Sequence, residues 1–162
     1  LLKLWKGARR PKPCGHVKIS NTDTFDNRFD ALWAKIKDKL PLSVWKDSNY
    51  LNWRYISCPD RKYAILAVEE YDTLVGFMVL NCKAYQLHTG YIIDFLCLPE
   101  RATAAALLLC GGLHYLKEQG MDIAVCHMFE HSPFYRLFTS QGFFKRGDGL
   151  CLIVRLNMPE IH

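Results

Sequence analysis

Two histidines and a glutamate stand close together in the sequence, at His127, Glu130 and His131. Histidines four residues apart can bind one zinc ion when both lie on the same face of a helix. The segment 122–129 has the composition of a strand, however, and Pro133 starts a new element just after it. In a strand, positions 127 and 131 would be roughly 13 Å apart, at ~3.3 Å per residue. The sequence therefore does not favour a metal site here.

Asp94 and Tyr135 are the other side chains that could move a proton. Asp94 lies within the strand-like segment 91–98, where a carboxylate can act as a general base or can simply pair with a basic neighbour. Strand alternation places it on the same side as Ile92, Leu96 and Leu98. Tyr135 carries a hydroxyl that could act as a general acid, or it could be an ordinary packed tyrosine. The residues alone leave these alternatives open.

Arg101 stands where a strand gives way to a helix. The sequence there is Arg101-Ala102-Thr103-Ala104-Ala105-Ala106. The start of a helix offers backbone N–H groups and the positive end of a dipole to an anion. The same alanines also suit an ordinary helix start, because alanine has the highest helix propensity. An anion site and a plain helix start are therefore both compatible with this segment.

The hydrophobic pattern sets out the elements that must position these residues. It predicts helices at 24–40, 48–57, 101–119 and 133–141, and strands at 63–68, 74–82, 91–98, 122–129, 143–145 and 150–156. A short strand at 17–19 is also compatible with the pattern. The stretch 91–129 predicts a parallel strand–helix–strand connection, and the three strands at 63–68, 74–82 and 91–98 should be antiparallel neighbours. Gly111 and Gly112, inside a helix, indicate close packing on the sheet.

The hydrophobic composition predicts one folded domain, and the basic charge is concentrated at the start of the chain. Its 162 residues are 50% hydrophobic, enough for one domain with a real core. Residues 1–20 carry six basic groups and no acid, whereas the remainder is nearly neutral. The sequence therefore predicts a basic linker or arm at 1–20 and one domain at 21–162, without the basic face that nucleic-acid binding needs. No apolar run reaches the ~20 residues of a membrane helix.

Seven cysteines occur without any CxxC pair. Most of them lie inside apolar runs, where a thiol behaves as a small hydrophobic side chain. Cys126 is therefore expected to be a core residue and not a nucleophile. The odd number and the lack of paired spacings favour a reducing cytoplasm.

The order of elements and two segments resemble the GNAT acetyltransferases over roughly 24–156. The first segment is Phe134-Tyr135-Arg136-Leu137-Phe138-Thr139-Ser140-Gln141-Gly142-Phe143, similar to the late helix-to-strand segment of the family. The second is the strand 91–98 followed by Pro99-Glu100-Arg101 and a long helix, which resembles its acyl-CoA element. A third set resembles bacterial two-part members: Tyr50, Trp53, Arg54, Tyr55 and Pro59.

This resemblance implies an α/β fold with a mixed, mostly antiparallel, bent sheet flanked by helices. It also implies acyl transfer from acetyl-CoA or another acyl-CoA to an amine, which attacks the thioester directly. Asp94 would be the base and Tyr135 the acid. The implied cofactor-binding residues are Leu96 and Leu98 through their backbone, and Arg101, Ala102, Thr103, Ala104, Ala105 and Ala106 around the pyrophosphate.

Two departures from the family pattern affect these implied roles. The family has glycines after the arginine, whereas this chain has alanines, whose methyl groups would crowd a phosphate. We therefore expect weak or no acetyl-CoA binding. The family tyrosine four residues before Gly-Phe corresponds to Phe138, which has no proton to donate, so Tyr135 one turn earlier is its substitute.

Two functions follow from the resemblance. The chain is either an N-acyltransferase, or a domain of one, or it is a non-catalytic module, the degenerate half of a longer two-domain acyltransferase. The expected partners are acyl-CoA, an amine and a domain preceding Leu1, with no nucleic acid and no membrane.

Overall fold

A computed structural model of the protein describes residues 2–4, 15–40, 43–84 and 88–145. The predicted strand at 150–156 lies outside these residues. Within these described ranges, six strands and four α-helices follow one another, with a 3-10 turn at Lys37–Lys39 and a π-helical turn at Asn52–Ile56. The strands are β1 (Leu2–Leu4), β2 (Val17–Asn21), β3 (Ala64–Glu70), β4 (Thr73–Ala84), β5 (His88–Cys97) and β6 (Ile123–Cys126). The helices are α1 (Asn27–Ile36), α2 (Ser48–Leu51), α3 (Ala102–Glu118) and α4 (Tyr135–Ser140).

The strands form one mixed sheet in the order β1-β6-β5-β4-β3-β2. β5 and β6 are parallel and are connected through α3, as the sequence predicts for 91–129. The neighbouring pairs from β2 to β5 are antiparallel. The predicted mixed and mostly antiparallel sheet is therefore confirmed.

Two strands lie within the predicted basic arm. β1 pairs antiparallel with β6, with Leu2 opposite Val125. β2 pairs antiparallel with β3 across residues 17–21, so the predicted boundary between residues 20 and 21 falls inside a strand. Two of the six basic residues, Lys3 and Lys18, thus lie in strands at the two edges of the sheet.

Helix α1 covers one face of the sheet. It starts later than predicted because Asp26 caps it, accepting a hydrogen bond from the Arg28 backbone N–H. Its buried side chains pack with the rings of Phe25 and Phe77, and the Phe29 and Phe77 centroids are 5.6 Å apart. The buried residues of α1 are Phe29, Leu32, Trp33 and Ile36.

Helix α3 covers the other face. A Cβ at Gly112 would overlap with Met78 Cε, which confirms the close packing predicted from the two glycines. Gly120 ends the helix with φ +74°, a conformation that favours glycine. None of the helices in the described ranges is both long and apolar enough to cross a membrane.

The region after β6 is less regular than predicted. β6 ends at Cys126, and not at residue 129, and α4 starts at Tyr135, and not at Pro133. Between them the backbone turns twice: the Ser132 N–H donates to Phe129 O, and the Tyr135 N–H donates to Ser132 O. These turns take up residues that the apolar pattern assigned to regular elements.

Candidate active site

A β-bulge in β5 decides which way Asp94 faces. Asp94 lies opposite Val79 and Ile92 lies opposite Leu80, so Ile93 is an extra residue in β5. Directly paired residues share a side of the sheet, and Val79 and Leu80 face opposite sides. The prediction that Asp94 faces the same side as Ile92 is therefore wrong. Asp94 lies on the face that α1 and α2 cover.

On that face Asp94 interacts with the ammonium of Lys46 and the hydroxyl of Tyr55. Its Oδ2 atom pairs with the Nζ of Lys46 and accepts a hydrogen bond of 3.1 Å from the Tyr55 hydroxyl. The side chains are 11% exposed for Asp94 and 15% for Lys46. Burial, and then the nearby Asp94 charge, raises the pKa of Tyr55, so this phenol stays protonated and donating at neutral pH.

β5 and β6 separate next to this carboxylate. Their pairing runs from Thr89 opposite Ile123 to Ile92 opposite Cys126, whereas β5 continues to Cys97. Burial raises the pKa of the Cys126 thiol to about 12, and the Asp94 charge acts in the same direction. Asp94 is thus within electrostatic reach of the end of β6, at the mouth of the opening between the strands. A buried thiol with this pKa suits the predicted core role of Cys126.

The backbone groups along this opening differ from those predicted. The Leu98 N–H donates to Val75 O at 2.9 Å and is therefore engaged with β4. Bonded pairs alternate along an antiparallel ladder, so Leu96 also directs its N–H towards β4. The groups directed to the open side of β5 belong to Phe95 and Cys97. Leu96 and Leu98, the residues expected to contact acyl-CoA through their backbone, therefore direct their N–H groups to β4 and not to the opening.

The start of α3 follows β5 after a short turn. The Arg101 N–H closes this turn on Leu98 O at 2.9 Å, and the helix runs from Ala102. The Ala104 and Ala105 side chains are buried in the core. Among the described residues other than glycine, only Tyr71 and Asp72 have a positive φ. The backbone at the alanines is therefore unstrained.

This geometry gives a phosphate more room at the alanines than the sequence analysis expected. The methyl of Ala104 is directed into the core, whereas Ala102 and Thr103 are exposed and Ala106 is partly buried. The first N–H groups of α3 therefore face outwards beside two small exposed side chains. Arg101 Nη1 lies 2.9 Å from Glu70 Oε2, so the predicted phosphate-binding arginine has an acidic partner.

Aromatic packing fixes the position of Phe138 on α4. The side chain is 0% exposed, and its ring centroid lies 5.2 Å from that of Phe95 and 5.0 Å from that of Phe143. Phe138 is thus a core residue on the α3 face of the sheet. Tyr135 is the first residue of α4 and is partly buried.

The two histidines of the zinc-like motif do not share a helical face. His127 follows β6 in irregular backbone and His131 lies in a turn. Within the described part of the chain, no group of three or more His, Cys, Asp or Glu side chains is arranged to bind a metal ion.

Lys46 and Glu70 are the site residues that sequence analysis missed. Lys46 precedes α2 and reaches Asp94 across 48 residues, a contact without a local pattern in the sequence. Glu70 lies between the predicted strands 63–68 and 74–82, where the sequence pattern indicates no site. Tyr55 did have a signal, because it belongs to the set that resembles two-part acetyltransferases.

Comparison with known proteins identifies the architecture. No family model and no curated protein matches the sequence. An aminoglycoside acetyltransferase from an uncultured soil metagenomic sample superposes with a TM-score of 0.62 at 12% identity, covering 88% of this chain and 98% of that chain. A ribosomal-protein-alanine N-acetyltransferase from Brucella melitensis biovar Abortus 2308 gives 0.59 at 17% identity, covering 86% and 99%. This chain has the GNAT fold.

A further structure links the GNAT fold to CoA. The aminoglycoside N-acetyltransferase AAC(6')-Iy, solved in complex with CoA, superposes with a TM-score of 0.62 at 11% identity, covering 95% of this chain and 100% of that chain. At such identities the similarity establishes the fold alone. The predicted fold class is confirmed, and the chemistry must be argued from the residues of this chain.

Proposed function

We propose that the protein is an N-acyltransferase that moves an acyl group from acyl-CoA to an amine. One observation carries the proposal: Asp94, a carboxylate that holds an alkylammonium, lies where β5 and β6 separate. A carboxylate in that place can bind a protonated amine and can accept its proton.

The residues along β5 and α3 fit an acyl-CoA molecule. The N–H groups of Phe95 and Cys97 can donate to an extended chain, as a neighbouring strand would require. The N–H groups at the start of α3, with the Arg101 guanidinium, can bind a pyrophosphate. When bound, acyl-CoA supplies an acyl group activated as a thioester.

Asp94 and Tyr55 form the acceptor side of the proposed site. Asp94 binds the incoming ammonium and removes a proton from it, so that the nitrogen lone pair becomes available. The Tyr55 hydroxyl, bonded to Oδ2 of the same carboxylate, holds it in place. Tyr135 is the candidate for a proton donor to the leaving sulfur, because the Phe138 side chain cannot donate one.

A second candidate function is a non-catalytic module of a longer, cytoplasmic two-domain acyltransferase. The observation that favours it is the combination of a buried phenyl ring at Phe138 with an Arg101 side chain already paired with Glu70. In that case another domain of the parent protein binds the acyl-CoA.

Binding and transfer measured together separate the two functions. Acetyl-CoA is titrated by calorimetry, and its transfer is followed by mass spectrometry, since accessible thiols of this cysteine-containing chain would interfere with dyes that detect free CoA. The acceptors are an aminoglycoside and a peptide with an N-terminal alanine, the substrate classes for which the structural neighbours are named. We expect binding, and transfer that falls about 10²–10⁴-fold in Asp94→Asn. Failure to bind acetyl-CoA would favour the non-catalytic module.

A further inference from the structure

Lys46 is unusually enclosed for a lysine of this chain. Its side chain is 15% exposed, whereas that of Lys39, which pairs with Glu100, is 46% exposed. Lysine side chains normally keep the ammonium group in water, because its desolvation is costly. Lys46 instead directs its ammonium to Asp94, at the mouth of the opening between β5 and β6.

The backbone on both sides of Lys46 is held in place. The Trp45 indole N–H donates to Asp47 Oδ2 at 2.8 Å, and the ring packs edge-on against Trp33 of α1. Asp47 caps α2 by accepting the Tyr50 N–H at 2.7 Å. Two neighbouring residues thus anchor this segment to α1 and α2, so Lys46 is presented to Asp94 from a fixed position.

We propose that Lys46 is itself an acyl acceptor, modified on its Nζ atom by the acyl-CoA bound to the same protein. This inference rests on the proposed function. The ammonium of Lys46 occupies the place on Asp94 that the proposed reaction assigns to the amine substrate. It meets the chemical requirement of that substrate, a primary alkylamine beside a base, without having to diffuse in.

The chemistry requires no further reactant. Asp94 takes one proton from the Lys46 ammonium, and the nitrogen lone pair attacks the thioester carbon. A carbon–nitrogen bond forms and the carbon–sulfur bond breaks, with the electron pair leaving on sulfur. The nitrogen loses a second proton; one of the two protons ends on the CoA thiol and the other in solvent. The products are an N-ε-acyl-lysine at position 46, CoA and one proton.

The modification would change the site electrostatically. An acylated Lys46 is neutral and can no longer form an ion pair with Asp94. Asp94 would keep the Tyr55 hydroxyl bond and could bind the ammonium of a second molecule. Modified protein should therefore transfer acyl groups to added amines faster than unmodified protein.

Isotope-labelled acetyl-CoA tests the proposal on the full chain. After incubation and hydroxylamine treatment, which removes acetyl groups from thiols, site-resolved mass spectrometry gives the labelling rate of each lysine. Lys35, exposed on α1, reports the uncatalysed background. We expect Lys46 to be labelled about tenfold faster than Lys35 or more, despite its burial, and to lose that advantage in Asp94→Asn. Lys46→Arg should abolish the fast phase of acetyl labelling, whereas Lys35→Arg should leave that phase unchanged.

Each alternative outcome has a separate meaning. Labelling of Lys46 at or below the Lys35 rate, in protein that binds acetyl-CoA and acetylates an added amine, overturns this inference and leaves the proposed function intact. Absence of acetyl-CoA binding by calorimetry overturns both. If Asp94→Asn does not fold, the rate difference between Lys46 and Lys35 in the unmodified sequence still decides the question.

Discussion

Arg101 Nη1 and Glu70 Oε2 lie 2.9 Å apart and join the end of β3 to the turn that precedes α3. The glutamate is largely buried, and the arginine is about half exposed. His16 approaches the other oxygen of the same carboxylate at 3.7 Å. An anion that binds at the start of α3 must therefore compete with Glu70 for the guanidinium.

Replacing Glu70 by glutamine should tighten CoA binding. The substitution keeps the shape of the side chain and removes the charge that pairs with Arg101, so the guanidinium becomes available to a pyrophosphate. A partly exposed ion pair contributes up to about 1 kcal/mol, which corresponds to a change in Kd of up to about fivefold. Calorimetric titration of CoA into Glu70→Gln measures this change.

Glu69 supplies the matched control for that experiment. It is the preceding residue of β3 and pairs with Arg28, at the N-terminus of α1. Glu69→Gln removes the same charge from the same strand without affecting Arg101, so its affinity for CoA should stay at the original value. Weaker binding in Glu70→Gln would mean that the glutamate holds Arg101 in place for the phosphate and does not compete for it.

Gly76 should not tolerate a side chain, because β4 and β5 approach closely there. A Cβ at Gly76 would lie 2.7 Å from Leu96 O and 2.9 Å from Cys97 Sγ, so the backbone of β5 would have to move. Gly76→Ala should lower the free energy of unfolding by about 1–3 kcal/mol. It should also weaken acetyl-CoA binding, because the N–H of Cys97 belongs to the proposed contact. Urea denaturation and calorimetry measure the two effects.

Gly15 is the control for this substitution. A Cβ there would meet no atom of the described residues within 4 Å. Gly15→Ala should therefore leave both the stability and the affinity nearly unchanged. Equal stabilities for the two alanine variants would show that β4 and β5 can separate locally at no cost.

Most of the order of elements could be predicted because each element depends on a local pattern; β1, within the predicted arm, was not predicted. The helix at 101–119 is observed as Ala102–Glu118, and Gly120, which follows it, has the positive φ of a helix terminus. The side of the sheet that Asp94 faces could not be predicted. One extra residue, Ile93, reverses the alternation, and a bulge depends on how two strands pair, not on composition.

The site was only partly predictable for a similar reason. Asp94 and Arg101 could be selected from the sequence because each has a recognisable position relative to a predicted strand or helix. Their partners come from distant parts of the chain. Lys46 is 48 residues from Asp94, and Glu70 lies two strands before Arg101. Such contacts exist only once α2 and β3 are packed in the fold, so no spacing in the sequence encodes them.

Phe138→Tyr should destabilise the protein without creating an acid. The ring packs against Phe95 and Phe143, where an added hydroxyl would be buried among apolar groups. An unsatisfied buried hydroxyl costs about 1–3 kcal/mol, which thermal unfolding should detect. Transfer to amines should not increase. A stable Phe138→Tyr protein with faster turnover would show that this position does reach the leaving sulfur.

Tyr135→Phe should lower turnover by about 10²–10⁴-fold, the usual effect of losing a general acid, because it removes the hydroxyl proposed to protonate the leaving sulfur. The substitution removes only the hydroxyl of a partly buried ring at the start of α4. The pH dependence of turnover with a saturating amine is the measurement. Turnover that stays within about twofold of the original, with unchanged acetyl-CoA affinity, would show that Tyr135 is not the proton donor.

Alkaline pH should destabilise the fold through its buried thiols. Burial raises the pKa of Cys97 from 9.0 to about 12. In the unfolded chain this thiol loses its proton near the ordinary value, so above that pH the unfolded state binds fewer protons than the native state. The free energy of unfolding contributed by Cys97 is therefore complete below pH 9 and falls between pH 9 and about 12.

Cys97→Ala should show a shallower decline in urea denaturation across this range, whereas Cys58→Ala, at a partly exposed site, should follow the original curve. Parallel curves for Cys97→Ala and the unsubstituted protein would contradict this coupling.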